Sequence, residues 1–111
     1  MKNKKNLECP VEITLSFIQN KWRVLILRDL LGRTKRFGEL KNSLSPISQK
    51  VLTQNLREME ENKIIVRKVF PEVPPKVEYS LTELGFSLKP ILDSMYNWGE
   101  DYKKEQPSRL L

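Results

Sequence analysis

The chain contains no histidine, one cysteine and only four glycines among its 111 residues. Without histidine it lacks the usual general base near neutral pH and the common zinc ligand sets. The glycines are not clustered, so no phosphate-binding loop is expected, and one cysteine cannot form a disulfide within the chain. We therefore expect no enzymatic activity, no metal and no cofactor.

Long hydrophobic runs are also missing. No apolar stretch approaches the roughly 18–20 residues that a membrane-spanning helix needs. The basic residues 1–6 are not followed by the apolar segment of about 7–15 residues that a signal peptide requires. Together with the single cysteine, these absences predict a cytoplasmic protein.

What the sequence does contain is an uneven positive charge. The net charge is +6, with 12 Lys or Arg and 4 Asp or Glu in residues 1–57, against 8 and 10 in residues 58–111. A basic N-terminal half indicates contact with a polyanion, although charge alone is also compatible with a merely soluble basic protein. No repeat or linker divides the chain, so we expect one domain over residues 9–107, preceded by a basic arm of residues 1–8.

Two helices are predicted in the first third of the chain. Pro10 suits the first position of the first helix, which has apolar stripes on two faces, so we expect two neighbours, for one of which another chain is a candidate. The stripes are Val11, Thr14, Leu15 and Ile18, and Ile13 with Phe17. We expect Asn20 to cap the C-terminal end of this helix, and a second helix over residues 22–31 to end at Gly32. The predicted inward face of the second helix is Trp22, Leu25, Ile26 and Leu30.

A helix-turn-helix is predicted next. Phe37, Leu40 and Leu44 have the spacing of a short third helix, which Ser45-Pro46-Ile47 ends. Ser48 can then cap a fourth helix that runs to about Asn62. The buried stripe of this helix is Leu52, Leu56 and Met59. Two helices joined by a tight turn, the second with its polar residues outward, are what a helix-turn-helix requires.

A two-stranded hairpin follows directly. Residues 64–70 are rich in β-branched side chains, residues 71–75 contain three prolines, and residues 76–81 form the second predicted strand. A five-residue loop places Lys68 opposite Glu78 and Val69 opposite Val77. A helix-turn-helix followed by such a hairpin has the order of a winged helix.

The last predicted helix is long. Thr82 can cap it, and its apolar residues repeat with spacings of 3 and 4, as in a heptad seam. They are Leu81, Leu84, Leu88, Ile91, Met95, Trp98 and Tyr102. Pro90 lies inside the predicted helix and should kink it. A domain of this size cannot cover the whole seam, so we predict a homodimer.

A series of different short motifs extends along nearly the whole chain, from Cys9-Pro10-Val11 to Trp98-Gly99. Between them lie Asn20-Lys21-Trp22, Arg36-Phe37-Gly38-Glu39-Leu40, Ile47-Ser48-Gln49-Lys50-Val51-Leu52-Thr53, Leu56-Arg57-Glu58-Met59-Glu60 and, at residues 74–85, PPKVEYSLTELG. In this order and spacing they resemble the HxlR-type helix-turn-helix regulators, relatives of the MarR-type winged helices. Asn20 stands where many relatives have glycine, and asparagine tolerates the left-handed backbone expected there.

The resemblance implies an α+β, mainly helical fold, a winged helix-turn-helix with a long C-terminal dimerisation helix. It also implies a dimeric bacterial or archaeal transcription factor that binds double-stranded DNA. The alternative function is a winged-helix module that binds protein or RNA without a specific operator, because a fold alone does not determine the ligand.

The fourth helix carries the candidate base-reading residues. Its buried stripe turns Gln49, Lys50, Thr53, Gln54 and Arg57 toward solvent. Such side chains can bond adenine or guanine or touch the thymine methyl, although an ordinary solvated helix face has the same pattern. Candidate contacts to the DNA backbone lie at or near helix starts and at the tip of the hairpin. They are Lys21, Lys35, Arg36, Lys41, Ser48 and Lys76.

Cys9 has two interpretations. In several relatives the cysteine before the first proline senses electrophiles or oxidants, which would make such a small molecule the inducer. The positive end of the helix dipole and the nearby Lys4 and Lys5 favour a reactive thiolate at this position. The other interpretation is a small apolar residue that packs against the domain.

Overall fold

The computed structural model describes residues 9–105, so the basic arm of residues 1–8 and residues 106 and 107 of the predicted domain lie outside it. The helices are α1 (Pro10–Phe17), α2 (Lys21–Gly32), α3 (Phe37–Ser43), α4 (Gln49–Glu61), α5 (Glu83–Phe86) and α6 (Lys89–Glu105). The strands are β1 (Lys35–Arg36), β2 (Ile65–Phe70) and β3 (Lys76–Leu81). Within residues 9–105, no helix is long and apolar enough to cross a membrane.

The predicted helix-turn-helix is confirmed in α3 and α4. Ser48 precedes α4, and its side chain accepts a hydrogen bond from the backbone N–H of Val51 at 3.1 Å. Leu52, Leu56 and Met59 are buried, as the stripe predicts. They pack into one core with residues of α2, α3 and the sheet, so α4 has one face fixed against the domain and the opposite face free for solvent.

The hairpin has the predicted register but belongs to a larger sheet. Lys68 pairs with Glu78 and Val69 with Val77, as expected. The two residues of β1 add a third antiparallel strand in the order β1-β3-β2, with Lys35 paired to Tyr79. The prediction of two strands was therefore incomplete, because a two-residue strand is too short to leave an alternating pattern in the sequence.

The last helix is not continuous, contrary to the prediction. Ser87 and Leu88 form a turn between α5 and α6, and Pro90 occupies the second position of α6. A proline is accommodated in the first turn of a helix because its missing N–H would have no partner there. Pro90 thus lies at a helix start rather than at a kink.

The start of α2 also differs from the prediction. Asn20 does not cap the end of α1, which ends at Phe17. It precedes α2 with an extended backbone (φ −135°), and its side chain accepts a hydrogen bond from the N–H of Arg23 at 3.0 Å. No left-handed conformation is therefore needed at this position. The fully buried face of α2 comprises Arg23, Ile26, Leu27 and Leu30, whereas Trp22 and Leu25 are only half-buried.

Candidate nucleic-acid interface

The outward face of α4 brings all five predicted base-reading residues together. Gln49, Lys50, Thr53, Gln54 and Arg57 line one open concavity along the helix. The arrangement follows from the helical period, because the buried stripe at Leu52, Leu56 and Met59 leaves these positions on the other side. Lys50, Gln54 and Arg57 are exposed, so their polar ends are available to a ligand.

Two acidic residues share this surface, and the sequence analysis did not consider them. Glu58 and Glu61 line the same concavity, four residues after Gln54 and Arg57 respectively. The side chain of Gln54 donates a hydrogen bond from Nε2 to Oε2 of Glu58 at 3.4 Å. Because an ionised carboxylate can only accept, Gln54 must turn its amide nitrogen toward Glu58 and its oxygen away.

A buried polar cluster lies behind α4. Arg23, only 2% exposed, donates a hydrogen bond and forms an ion pair to Oε1 of Glu58. Its Nε lies 3.5 Å from Oδ1 of Asn55, which also accepts a hydrogen bond from Nδ2 of Asn20 at 3.1 Å. The amide nitrogen of Asn55 donates to the carbonyl of Val51 at 2.9 Å. The first turn of α2 is thus bonded to the middle of α4.

The sequence analysis did not predict this cluster, although the helical spacing of Asn55 and Arg23 indicates that both are buried. Asn55 lies three residues after Leu52 and four before Met59, which places it on the buried stripe of α4. On α2, Arg23 lies three and four residues before the buried Ile26 and Leu27. A polar residue at a position that the helical period assigns to the interior needs a partner, and these two positions are partners of one another.

Basic residues between α2 and α3 line a second concavity. Its lining residues are Arg33, Thr34, Lys35, Arg36, Glu39 and Glu78. Glu39 accepts hydrogen bonds from the Arg33 guanidinium at 2.7 Å and from the backbone N–H of Arg36 at 2.8 Å. These two bonds, first the one from Arg33, hold the pKa of the Glu39 carboxyl below its ordinary value. Arg33 was missed by the sequence analysis, and Glu39 already neutralises part of its charge.

The other predicted backbone contacts are spread along the helix-turn-helix. Lys21 is exposed at the first position of α2, with its Nζ 4.6 Å from the ring centroid of Trp22. Lys41 is half-buried on α3. Ser48 already accepts the capping bond from Val51, so only its hydroxyl proton and remaining lone pair are left for another group.

In the wing, residues 65–81, the charged groups of Lys68 and Lys76 lie close to the sheet. The residue that forms an ion pair with Glu78 is Lys76, at 3.6 Å, and not the directly opposite Lys68. The ammonium groups of Lys68 and Lys76 lie 4.9 Å and 4.4 Å from the ring centroid of Phe70. Lys76 is therefore partly neutralised and held near the sheet, which limits its reach beyond the wing tip.

The wing is attached to α4 on its inner side. Arg67 of β2 forms an ion pair with Glu60 at 3.6 Å. Tyr79 of β3 is 8% exposed, and burial raises the pKa of its hydroxyl. Its ring belongs to the core and is not a surface on which an unpaired base could stack.

Apolar side chains remain exposed at both ends of the described chain. On α1 they are Val11, Ile13 and Leu15; on α5 and α6 they are Leu84, Phe86, Met95, Tyr96 and Trp98. Trp98 is 70% exposed, and its ring stacks on Tyr102 with centroids 5.5 Å apart and planes 7° from parallel. Of the predicted seam, Leu88 and Leu81 are buried in the core of their own chain, and Ile91 is half-buried. Leu88 is therefore not available to a second chain.

Cys9 is exposed and directly precedes α1. Its carbonyl accepts the first hydrogen bond of the helix, from the N–H of Ile13 at 3.0 Å. Its side chain makes no capping bond to the helix. The thiol is thus accessible within its own chain, and it lies at the end of α1 that carries the exposed Val11 and Ile13.

The site comprises a helix-turn-helix, a wing that belongs to a three-stranded sheet, and the polar outward face of α4, and comparison with known proteins assigns its class. The sequence profile of the HxlR-like helix-turn-helix proteins matches residues 17–107. This chain belongs to the HxlR-like helix-turn-helix family. It is accordingly a DNA-binding transcriptional regulator of the HxlR family and not an enzyme.

Individual relatives agree with the HxlR assignment. YdeP of Bacillus subtilis (strain 168), an uncharacterized HTH-type transcriptional regulator, is 48% identical over 95 residues, which are 86% of this chain and 74% of YdeP. The redox regulator HypR in its reduced form has a TM-score of 0.84 at 43% identity, covering 90% of this chain and 99% of HypR. The reduced form of the transcriptional regulator YodB from B. subtilis has a TM-score of 0.74 at 38% identity, covering 86% and 96%.

Proposed function

We propose that this HxlR-family regulator is a cytoplasmic homodimer that binds an inverted-repeat operator through the outward face of α4. The observation that carries the proposal is the single surface formed by the five polar side chains of α4, beside Glu58 and Glu61. An α-helix fits the major groove of B-DNA, where base edges differ in their hydrogen-bonding groups. Two copies related by a two-fold axis would read half-sites whose centres are about 34–36 Å apart or a multiple of that.

Within this surface we assign base reading chiefly to the first turns of α4. Gln49, Lys50 and Thr53 lie nearest the helix start, which enters the groove most deeply in helix-turn-helix proteins. Gln54 and Arg57 follow one turn later. We assign backbone contacts to the exposed Lys21 and Arg36, and to Lys35 beside Arg36 in β1. Lys41, Ser48 and Lys76 have a smaller proposed role because each is half-buried or already engaged.

The division between base readers and backbone contacts can be measured. Lys50→Ala or Gln49→Ala is expected to relax base preference at one position per half-site, at a cost of about 1–3 kcal/mol. Arg36→Ala is expected to weaken binding to all sequences alike and to lower the salt slope by about 1 per subunit. The measurement is in vitro selection of the operator, followed by anisotropy titrations at several salt concentrations. An equal, sequence-independent loss for Lys50→Ala and Arg36→Ala would contradict the division.

The same titrations test the function itself. Wild-type protein is expected to prefer its selected duplex over random duplex by about 10³-fold or more, and over random RNA by at least as much. Equal affinity for random duplex and for the selected sequence would contradict a sequence-specific regulator. Tighter binding to RNA than to DNA would instead indicate an RNA-binding winged helix.

We further propose that Cys9 links the redox state to DNA binding. HypR is described as a redox regulator, and Cys9 here is exposed at the start of α1 beside the apolar Val11 and Ile13. If α1 contacts the partner subunit, an adduct on Cys9 would shift one recognition helix relative to the other. A single cysteine can form a mixed disulfide, an adduct or a link between two subunits.

Treatment with a quinone, hypochlorite or the disulfide of a small thiol is expected to change operator affinity tenfold or more, about 1.4 kcal/mol of coupling. The change is expected in wild type and not in Cys9→Ser, measured on the same operator by anisotropy. Mass spectrometry verifies that the thiol has reacted. Unchanged affinity after complete reaction would exclude Cys9 as the sensor.

A further inference from the structure

The buried cluster behind α4 ends on the DNA-facing surface. One oxygen of Glu58 is bound by the buried Arg23, and the other accepts the hydrogen bond from Gln54. The Glu58 side chain is 40% exposed, whereas that of Arg23 is 2% exposed. The carboxylate therefore joins a residue inside the protein to a residue on the recognition face.

We propose that Arg23 and Glu58 are positioning residues that orient the Gln54 amide for base recognition. The inference rests on the proposed role of α4 in reading DNA. Arg23 holds the Glu58 carboxylate in place, and Glu58, as an acceptor only, holds the amide nitrogen of Gln54. The Gln54 oxygen is then presented to the groove, where it can accept a hydrogen bond from the exocyclic amino group of adenine or cytosine. Arg23 thus determines base preference without contacting DNA.

Burial of Arg23 restricts where the Glu58 carboxylate can lie. Among the described residues, the Nη1 nitrogen of Arg23 is buried without a hydrogen-bond partner, so the guanidinium depends on Glu58 and Asn55. A buried charge that loses its partner is strongly unfavourable, which keeps the Glu58 carboxylate on Arg23 rather than free in solvent. The buried Arg23 thus restricts the rotamer of Glu58. The rotamer of Glu58 in turn determines which side of the Gln54 amide faces outward.

Substitution of Glu58 separates orientation from charge. Glu58→Gln can donate as well as accept, so it no longer fixes which end of the Gln54 amide faces the groove. Glu61→Gln is the matched control, since it removes the same charge from the same concavity, and no hydrogen bond or ion pair within residues 9–105 joins Glu61 to Arg23 or Gln54. Both variants are expected to bind all duplexes somewhat more tightly because a negative charge is lost.

Base preference is the deciding measurement. In vitro selection with Gln54→Ala identifies the base pair at which that variant loses preference relative to wild type. Glu58→Gln is expected to lower preference at the same base pair at least threefold, and Glu61→Gln to leave it unchanged. The double variant Glu58→Gln/Gln54→Ala is expected to show no loss beyond Gln54→Ala alone, because the two residues act in one chain of contacts.

Arg23 is tested in the same way, with a second readout for folding. Arg23→Met is expected to reproduce the loss at the Gln54 base pair, and Arg23→Lys, which keeps the charge, to restore part of it. Thermal unfolding shows whether each variant is folded at the assay temperature. If Arg23→Met does not fold, Glu58→Gln decides, because its side chain is 40% exposed and its amide oxygen can still accept the hydrogen bond from Arg23.

The outcomes distinguish this inference from the proposed function. Wild type without any base preference would overturn both. Wild type with base preference, combined with unchanged preference in Glu58→Gln or with equal losses at every base pair, would overturn the positioning role alone. Additive losses in the double variant, or no loss in Gln54→Ala, would do the same.

Discussion

A chain that carries Met95→Glu and Trp98→Glu is expected to sediment as a folded monomer. Both side chains are exposed in their own chain, at 47% and 70%, so the substitutions leave the core intact. They would place charges in the apolar surface through which we propose that two copies associate. Since two linked recognition helices bind far more tightly than one, operator affinity is expected to fall by about 10²-fold or more.

Val66→Glu is the matched control for this experiment. Val66 is 48% exposed on the wing, close to the 47% of Met95, so a charge again replaces an exposed apolar side chain, away from α6. Sedimentation is expected to show a dimer for this control. A Met95→Glu/Trp98→Glu chain that remains a stable dimer would overturn the proposed interface. Leu88→Glu would not serve, because Leu88 is buried and a charge there would unfold the chain.

Gly85→Ala is expected to destabilise the fold by about 3 kcal/mol or more, or to prevent folding. A Cβ at this position would lie 2.4 Å from the backbone oxygen of Ile64 and 3.1 Å from a methyl carbon of Leu81. The Ile64 oxygen cannot move away easily, since it accepts a hydrogen bond from the N–H of Thr82 at 3.0 Å, and the Thr82 hydroxyl oxygen also lies 3.1 Å from it. The close approach of α5 to the start of β2 therefore requires glycine.

The measurement is thermal unfolding at one fixed protein concentration, because association changes the apparent stability. Gly85→Ala is expected to lower the midpoint by roughly 10 °C or more. Gly38→Ala in α3 is the control, since a Cβ there would meet no atom within 4 Å, and its effect is expected to stay within about 1 kcal/mol. A Gly85→Ala chain as stable as the Gly38→Ala chain would show that α5 can shift away from Ile64.

The sequence predicted the helix-turn-helix and the wing because each depends on local chemistry. Ser48 caps α4 as expected, and the 3.6-residue period separates the buried Leu52 from the outward Lys50. The strands of the hairpin pair in the predicted register because the register follows from the length of the loop, and the prolines in residues 71–75 mark where that loop begins and ends. The family assignment was also predictable, since it depends on the order of many short motifs.

The sequence was less informative where an element depends on distant residues. Hydrophobic spacing continues across Ser87 and Leu88, so the period alone could not show that the chain turns there and begins a new helix before Pro90. The same spacing could not distinguish Leu88, which is buried in the core, from Met95 and Trp98, which remain exposed. Whether a residue of this series is buried depends on how far along α6 the helix still packs against the rest of the domain.

By itself, therefore, the sequence determined the class of protein, the recognition helix and the outward set of residues at Gln49, Lys50, Thr53, Gln54 and Arg57. Those features follow from capping, periodicity and charge within a few neighbouring residues. Only the tertiary structure decided that Arg23 is buried against Glu58, and that Gly85 must remain without a side chain. Both depend on contacts between residues about 20 to 35 positions apart in the chain, which no local pattern records.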